Sequence, residues 1–486
     1  MDDLSSLEPR RLFGYFLELS RIPRGSRNEA AAARWAAEQG RALGLTVETD
    51  GAGNVLLRKP ASPGREGRPG LALQAHLDMV CEKNEGTAHD FQVDPIEVVR
   101  DGDMLRARGT TLGADNGVGV ASALAVLASS DLRHPALEVL LTVDEETGLT
   151  GANAVRAGWL RSPRLLNLDS EEEGELVIGC AGGVDTVVSR GVSFRAPSPG
   201  RRALRLRVYG LKGGHSGIDI ASGRGNALRV LGQLLASLMV PHALELSNLR
   251  GGNKRNAIAR EAAAVVEVET SREAALAADV ARLSEEKRRA FGAFDPALAV
   301  SLEKVPLEDP AASRCLSPAD ASAVLRLLLA GPHGVEEMSP DIPGLVQTST
   351  NMGVLETLDK AVELTFLTRS SIDASKAALV ARIAAVAALA GAECRSSNGY
   401  PGWKPEPGSA IVKLVSGVHE ELYGKPMTVK AIHAGLECGI LGGQYPRVEM
   451  ASIGPSMWDV HTPDEHVSIR SVQGFWRLLT AVLERA

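Results

Sequence analysis

Aromatic residues make up only 4% of the 486-residue chain, and cysteine occurs just five times. Cys81, Cys180, Cys315, Cys394 and Cys438 are an odd, scattered set without a CxxC pair, which argues against a disulfide framework and a thiolate zinc site. Basic charge is short as well: 53 Lys and Arg stand against 60 Asp and Glu, a net charge of 53 − 60 = −7, with no long basic run. The electrostatic footprint of a nucleic-acid or anionic-membrane partner is therefore missing. The most apolar helical stretch, residues 374–392, is interrupted by Lys376 and Arg382 and falls short of a membrane span. The opening MDDLSSLEPRRLFGYF is acidic and lacks the charged start and apolar core of a signal peptide. Reduced thiols and the missing leader together give a cytoplasmic expectation.

What is there matches an ordinary globular protein, 44% hydrophobic and 23% charged. At roughly 150 residues per domain the length corresponds to about two to four domains. Residues 4–20 and 27–43 read as amphipathic helices, followed by a hairpin in which TVETD and VLLRK flank a Gly-rich turn. Three apolar runs of strand length follow, in LALQAHLDMV, ALEVLLTVDEE and LRSPRLLNLDSEE, with a helix at GVGVASALAVLASS between the first two. Strands alternating with helices predict an α/β layer with a mixed, largely parallel sheet flanked by helices. In such sheets the site lies beyond the strands' carboxyl ends, where each of these runs turns acidic. Breaks at FRAPSPGRR and SSNGYPGWKPEP delimit an α+β block, long enough for two similar βαβ-type halves side by side. The expected division is residues 1–199 and 397–486 as one domain, interrupted by 200–396.

Five acidic or histidine clusters fall at strand ends or Gly-rich turns: His76-Leu77-Asp78, Asp115-Asn116-Gly117, Asp144-Glu145-Glu146, Asp169-Ser170-Glu171 and Asp459-Val460-His461. Strand side chains alternate faces, so His76 and Asp78 point the same way, and the carboxylate suits the second ring nitrogen of a metal-ligating imidazole. Glu145 and Glu146 are adjacent and suit two roles, one on a metal and one on the water beside it. Carboxylates mixed with imidazole, without thiolate, suit Zn²⁺, Mn²⁺ or Co²⁺. Two histidines and three carboxylates exceed one open zinc site but fit two ions sharing a bridging carboxylate.

These motifs in this order resemble the M20 metallopeptidases, in particular their aminoacyl-histidine dipeptidase branch. The stretches are AHLDMVCEKN, HDFQVDPIE, GTTLGADNGVGVA, LEVLLTVDEETGLTGA, LLNLDSEEEGEL, GCAGG, GGHSG, KRNAIAR, HAGLECG and HTPDE, spread over nearly the whole chain. The resemblance implies a zinc-peptidase-like catalytic domain with an inserted α+β lid, and two divalent ions, foremost Zn with Co or Mn as alternatives. By it, His76 and Asp169 would bind one ion, Glu146 and His461 the other, and Asp115 would bridge them. Asp78 would clamp His76, Glu145 would be the general base, and His215 in GGHSG would stabilise the tetrahedral oxyanion. Asn256 and Arg369 would hold the substrate carboxylate and tetrahedral oxygens, and Glu437 the free amine. The family often shows a cis peptide after the bridging aspartate. The nearly doubled lid implies that His215 acts within its own chain, leaving a homodimer optional. Leu77, where Thr is commoner, and Cys81-Glu82 depart from the pattern without touching an implied ligand.

The implied activity is hydrolysis of small unblocked dipeptides, Xaa-His and β-alanyl-histidine included. A second reading is an M20-like deacylase or carbamoylase of N-acyl amino acids. A metal-free binding protein descended from such enzymes is a remote third.

Overall fold

The computed structural model describes residues 4–306 and 309–486. Two compact units divide the chain, one of Met1–Cys180, Trp403–Ala431 and Leu436–Ala486, the other of Ala181–Gly402 and Ile432–Gly435.

The first unit is built on an eight-stranded sheet. Its centre runs Leu137–Thr142, Leu71–His76, Arg164–Asn167, Glu449–Ser452, all parallel, and the hairpin Thr46–Thr49 and Val55–Lys59 adds antiparallel strands at one edge. Leu71–His76 and Leu137–Thr142 are buried at every position, as parallel strands covered on both faces must be. The helix Ala114–Ala128 is apolar and buried around nearly its whole circumference. It packs with Leu12, Phe13 and Phe16 of the helix Arg10–Leu19 and with Val472 of the helix Ile469–Arg485. These observations give the α/β class with a largely parallel sheet that the sequence predicts.

The second unit holds a nine-stranded sheet whose pairings are all antiparallel. Within it, Arg201–Tyr209, helix Ala227–Leu238, Glu245–Gly251, Ala262–Glu269, helix Glu273–Phe291 and Ala299–Lys304 make one β-α-β-β-α-β half. Gly182–Gly191, helix Pro318–Ala330, Val346–Thr357, Ala361–Ser370, helix Asp373–Leu389 and Glu393–Tyr400 make another, with the first half inserted after its opening strand. Numbered within each half, the strand order is 4-1-3-2 and then 2-3-1-4, so two split βαβ units meet strand 2 to strand 2, at Arg250↔Glu356. A third strand separates the two joined by each crossover helix, so neighbouring strands run antiparallel.

This pairing moves the boundaries that the sequence suggests. Gly182–Gly191 pairs along its whole length with Ala361–Ser370, so the second unit begins at Ala181 and not at 200. Glu393–Tyr400 pairs with Gly182–Gly191 as well, which carries part of the supposed second linker into the sheet. Among the described residues no helix is long and apolar enough to cross a membrane.

Candidate metal centre

His76 closes its strand, Asp78 lies two residues on, and Asp169 lies two residues beyond Arg164–Asn167. His76 pairs with Thr142, so those two parallel strands end level; Asn167 pairs with Gln74, so Arg164–Asn167 ends two residues short and its extension brings Asp169 up toward His76. After Leu137–Thr142 the chain turns through Asp144 at φ 52° into the short helix Glu145–Gly148, whose first residues are Glu145 and Glu146. Asp115 sits where the helix Ala114–Ala128 departs from helical geometry, before a cis Asp115-Asn116 peptide of the kind the family resemblance anticipates. His461 lies in a loop at φ 65°.

These side chains meet around Asp115. Its Oδ1 lies 3.1 Å from His76 Nε2, which also stands 3.3 Å from Asp169 Oδ1. Its Oδ2 lies 3.2 Å from His461 Nε2, itself 3.0 Å from Glu146 Oε2. One carboxylate thus faces two pairs, His76 with Asp169 and His461 with Glu146. Asp78 Oδ1 lies 3.3 Å from His76 Nδ1 and also accepts the backbone N–H of Glu145 at 3.0 Å, while Oδ2 accepts that of Glu146 at 3.2 Å and the Ser26 hydroxyl at 2.8 Å. The clamp on the imidazole therefore also seats the two glutamates.

The donor set fits cations. Ligand atoms of His76, Asp115 and Glu146 lie within 4.8 Å of one another, and Glu146 Oε1 is buried without a hydrogen-bond partner. Gathered at one sheet edge, these carboxyl and imidazole groups shift one another's proton affinities. Burial pushes Asp169 up to about 7, helped by Asp115 and Glu146 against the pull of His76. Hydrogen bonds to Asp115 and Glu146 raise His461 to about 11. Burial would strip His76 of its proton, yet Asp169, Asp115 and Asp78 hold its affinity well above the ordinary imidazole value. Asp78 is opposed by burial but is brought down to about 2 by His76 and the hydrogen bonds it accepts. Glu145 is raised well above the usual carboxylate range, by burial first and then by Asp169, Glu437 and Glu146. Divalent ions would balance these acids without protons, and the O- and N-donors suit Zn²⁺, Mn²⁺ or Co²⁺.

Glu437 opens the helix Glu437–Gln444 and is fully enclosed. It is 0% exposed, its Oε2 accepts from Gln74 Nε2 at 2.6 Å and Thr142 Oγ1 at 2.7 Å, and burial pushes it up to about 8. Oε1 has no partner. So enclosed, the carboxyl lies against the strands Leu71–His76 and Leu137–Thr142 through Gln74 and Thr142.

His215, Asn256 and Arg369 belong to the second unit. His215 Nδ1 accepts the backbone N–H groups of Gly217 at 3.3 Å and Ile218 at 3.1 Å. A neutral ring with Nδ1 accepting carries its proton on Nε2. Burial and Arg369 lower the proton affinity of this ring, which keeps it neutral. Arg369, buried, has Nη2 3.3 Å from His215 Nε2 and donates through Nη1 to the Tyr400 hydroxyl at 3.1 Å. Asn256 is exposed, and its carbonyl accepts the Ser216 N–H at 2.9 Å. Buried Asn351 fixes that loop by donating to the carbonyls of Arg255 at 2.9 Å and Ala257 at 2.8 Å.

Sequence reasoning missed Asn351 and Tyr400, and also Arg24, Ser26 and Glu465. Most act on backbone groups, which leave no residue pattern; the RIPRGSRNE loop and the last letter of HTPDE were the available signals.

The model of Peptidase family M20/M25/M40 matches residues 72–485. Over 484 residues the chain is 42% identical to the cytosol non-specific dipeptidase of Escherichia coli (strain K12), covering 100% of this chain and 99% of that protein. The crystal structure of aminoacylhistidine dipeptidase from Vibrio alginolyticus matches with a TM-score of 0.94 at 42% identity, covering 100% of this chain and 98% of that one. The aminopeptidase PepT of Bacillus cereus, at 16% identity and a TM-score of 0.57 over 98% of both chains, shares the fold.

Proposed function

The chain belongs to peptidase family M20/M25/M40, and from that premise we propose that it is a cytosolic metallodipeptidase acting on unblocked dipeptides, Xaa-His substrates included. The names of its two 42% identical relatives, a non-specific dipeptidase and an aminoacylhistidine dipeptidase, support the substrate class. The observation that carries the chemistry is Asp115, whose two oxygens face separate histidine–carboxylate pairs at 3.1 and 3.2 Å.

In this reading His76 and Asp169 would hold one divalent ion, His461 and Glu146 would hold a second, and Asp115 would serve both. Zinc is the first candidate, with Co²⁺ and Mn²⁺ as alternatives. Such ions supply a water acidified to near neutrality and a polarised substrate carbonyl. Glu145, whose burial raises its proton affinity, takes the proton from the attacking water and passes it to the departing amine nitrogen. Asp78 keeps His76 oriented and Glu145 seated. His215 offers its Nε2–H, and Arg369 its guanidinium, to oxygens of the substrate that carry or develop negative charge. Asn256 is assigned to the substrate carboxylate.

One observation favours a second reading. The enclosure of Glu437 removes the expected anion for a free amine, and N-acyl amino acids, the substrates of a deacylase or carbamoylase, carry none. Assay of dipeptides beside their N-acetyl and N-carbamoyl counterparts, with Zn²⁺, Mn²⁺ and Co²⁺ in turn, decides between them. Dipeptidase action predicts turnover of the free-amine series; turnover confined to the blocked series would overturn it.

A further inference from the structure

Two buried charged groups in the first unit, neither used by the reaction, bond extensively to backbone. Arg24 is 2% exposed, yet none of its hydrogen bonds goes to a carboxylate. Its Nη1 donates to the carbonyls of Leu77 at 3.0 Å and Asp78 at 2.8 Å, and its Nη2 to that of Gly113 at 2.5 Å. Glu465, 3% exposed, takes four consecutive backbone N–H groups: Leu112 at 2.7 Å and Gly113 at 2.9 Å on Oε2, Ala114 at 2.7 Å and Asp115 at 3.3 Å on Oε1. The guanidinium thus ties the strand extension carrying His76 and Asp78 to loop 112–115. The carboxylate ties that loop, which ends at Asp115, to the segment that carries His461 four residues earlier. Ser26 and Glu29 continue the pattern from the Arg24 segment, bonding Asp78 Oδ2 at 2.8 Å and the Asp144 N–H at 3.0 Å.

A buried charge spent on backbone groups is costly, the more so for Arg24, whose Nε has no hydrogen-bond partner, and both groups sit where a small displacement would alter the distances among the donor atoms. We propose that Arg24 and Glu465 are positioning residues that hold the His76, Asp115 and His461 loops at metal-binding spacing before any ion arrives. The inference rests on the metal roles proposed above. Gly113 provides local support: at φ +69° it brings loop and guanidinium so close that an added Cβ would lie 2.5 Å from Arg24 Nη2.

The test is calorimetric titration of zinc chloride into the chelator-stripped full chain, with the melting temperature of the metal-free protein measured alongside. Glu465→Gln and Arg24→Lys are compared with Glu138→Gln. Glu138 is equally buried and accepts two backbone N–H groups, from Arg161 at 2.9 Å and Ser162 at 2.8 Å, but it lies toward the other end of Leu137–Thr142 from the site. Glu465→Gln and Arg24→Lys should weaken zinc binding at least about tenfold, the usual scale for groups that orient ligands, while Glu138→Gln keeps wild-type affinity even if it melts earlier. If one of the two fails to fold, the other is read alone. Unchanged affinity in them, or an equal loss in Glu138→Gln, overturns the positioning role. A wild-type chain that takes up no zinc, cobalt or manganese overturns the metal reading itself, so the two failures are distinguishable.

Discussion

Glu437 and Glu267 show how burial decides what a single carboxyl can do. Glu437, enclosed by Gln74 and Thr142, should act as a neutral acid, so Glu437→Gln should leave kcat/KM for dipeptides within about threefold of wild type. A hundredfold fall in steady-state assays would return it to the role of amine acceptor. Glu267, in the second unit, is buried with Oε1 unpaired, and burial together with Glu245 pushes it up to about 7 against the pull of Arg201. Its folded-state affinity for a proton exceeds the ordinary value of 4.5, so the stability it contributes is complete below that pH and lost as pH rises through about 7. Melting temperatures taken at about pH 5 and about pH 8 should therefore fall further in wild type than in Glu267→Gln. Equal falls would contradict the assignment. The candidate acids and His76 were legible as residues because hydrophobic strand runs end on them. Their partners were less so: Asp78 reads as a clamp on His76, but its bonds to the N–H groups of Glu145 and Glu146 depend on a turn that sequence does not specify.

At the scale of elements, the loop before the helix Ala114–Ala128 tests how closely local backbone and site are joined. Gly113 and Gly102 both have positive φ, +69° and +61°, but an added Cβ meets Arg24 Nη2 and Met79 Sδ at the first and nothing within 4 Å at the second. Alanine at either should cost about 1–2 kcal/mol for the left-handed backbone alone. Chemical denaturation should show a larger loss for Gly113→Ala than for Gly102→Ala; equal losses would mean the guanidinium yields without cost. The apolar character of GVGVASALAVLASS made this helix plain, whereas the irregular Asp115 and Asn116 at its start were not. The strand Gly182–Gly191 escaped for a related reason: it opens on two glycines and alternates only loosely, so its partner Ala361–Ser370 defines it more than its own composition does.

Over the whole molecule, the chain distributes its chemistry unevenly. The first unit gathers nearly uncompensated acids and two histidines beyond a parallel sheet; the second offers neutral His215 and cationic Arg369 on paired split βαβ halves. The largely parallel sheet could be anticipated from strand and helix alternation, since local hydrophobic patterning encodes it. The order 4-1-3-2 followed by 2-3-1-4 could not, because it is set by pairing between segments far apart in sequence. The central claim is that Asp115 joins two ions, and it is tested most directly by anomalous scattering from crystals of the zinc-loaded protein. The account predicts two peaks per chain, one contacted by His76 and Asp169, the other by His461 and Glu146, with an Asp115 oxygen on each. A single peak, or two peaks of which either lacks Asp115, would contradict it.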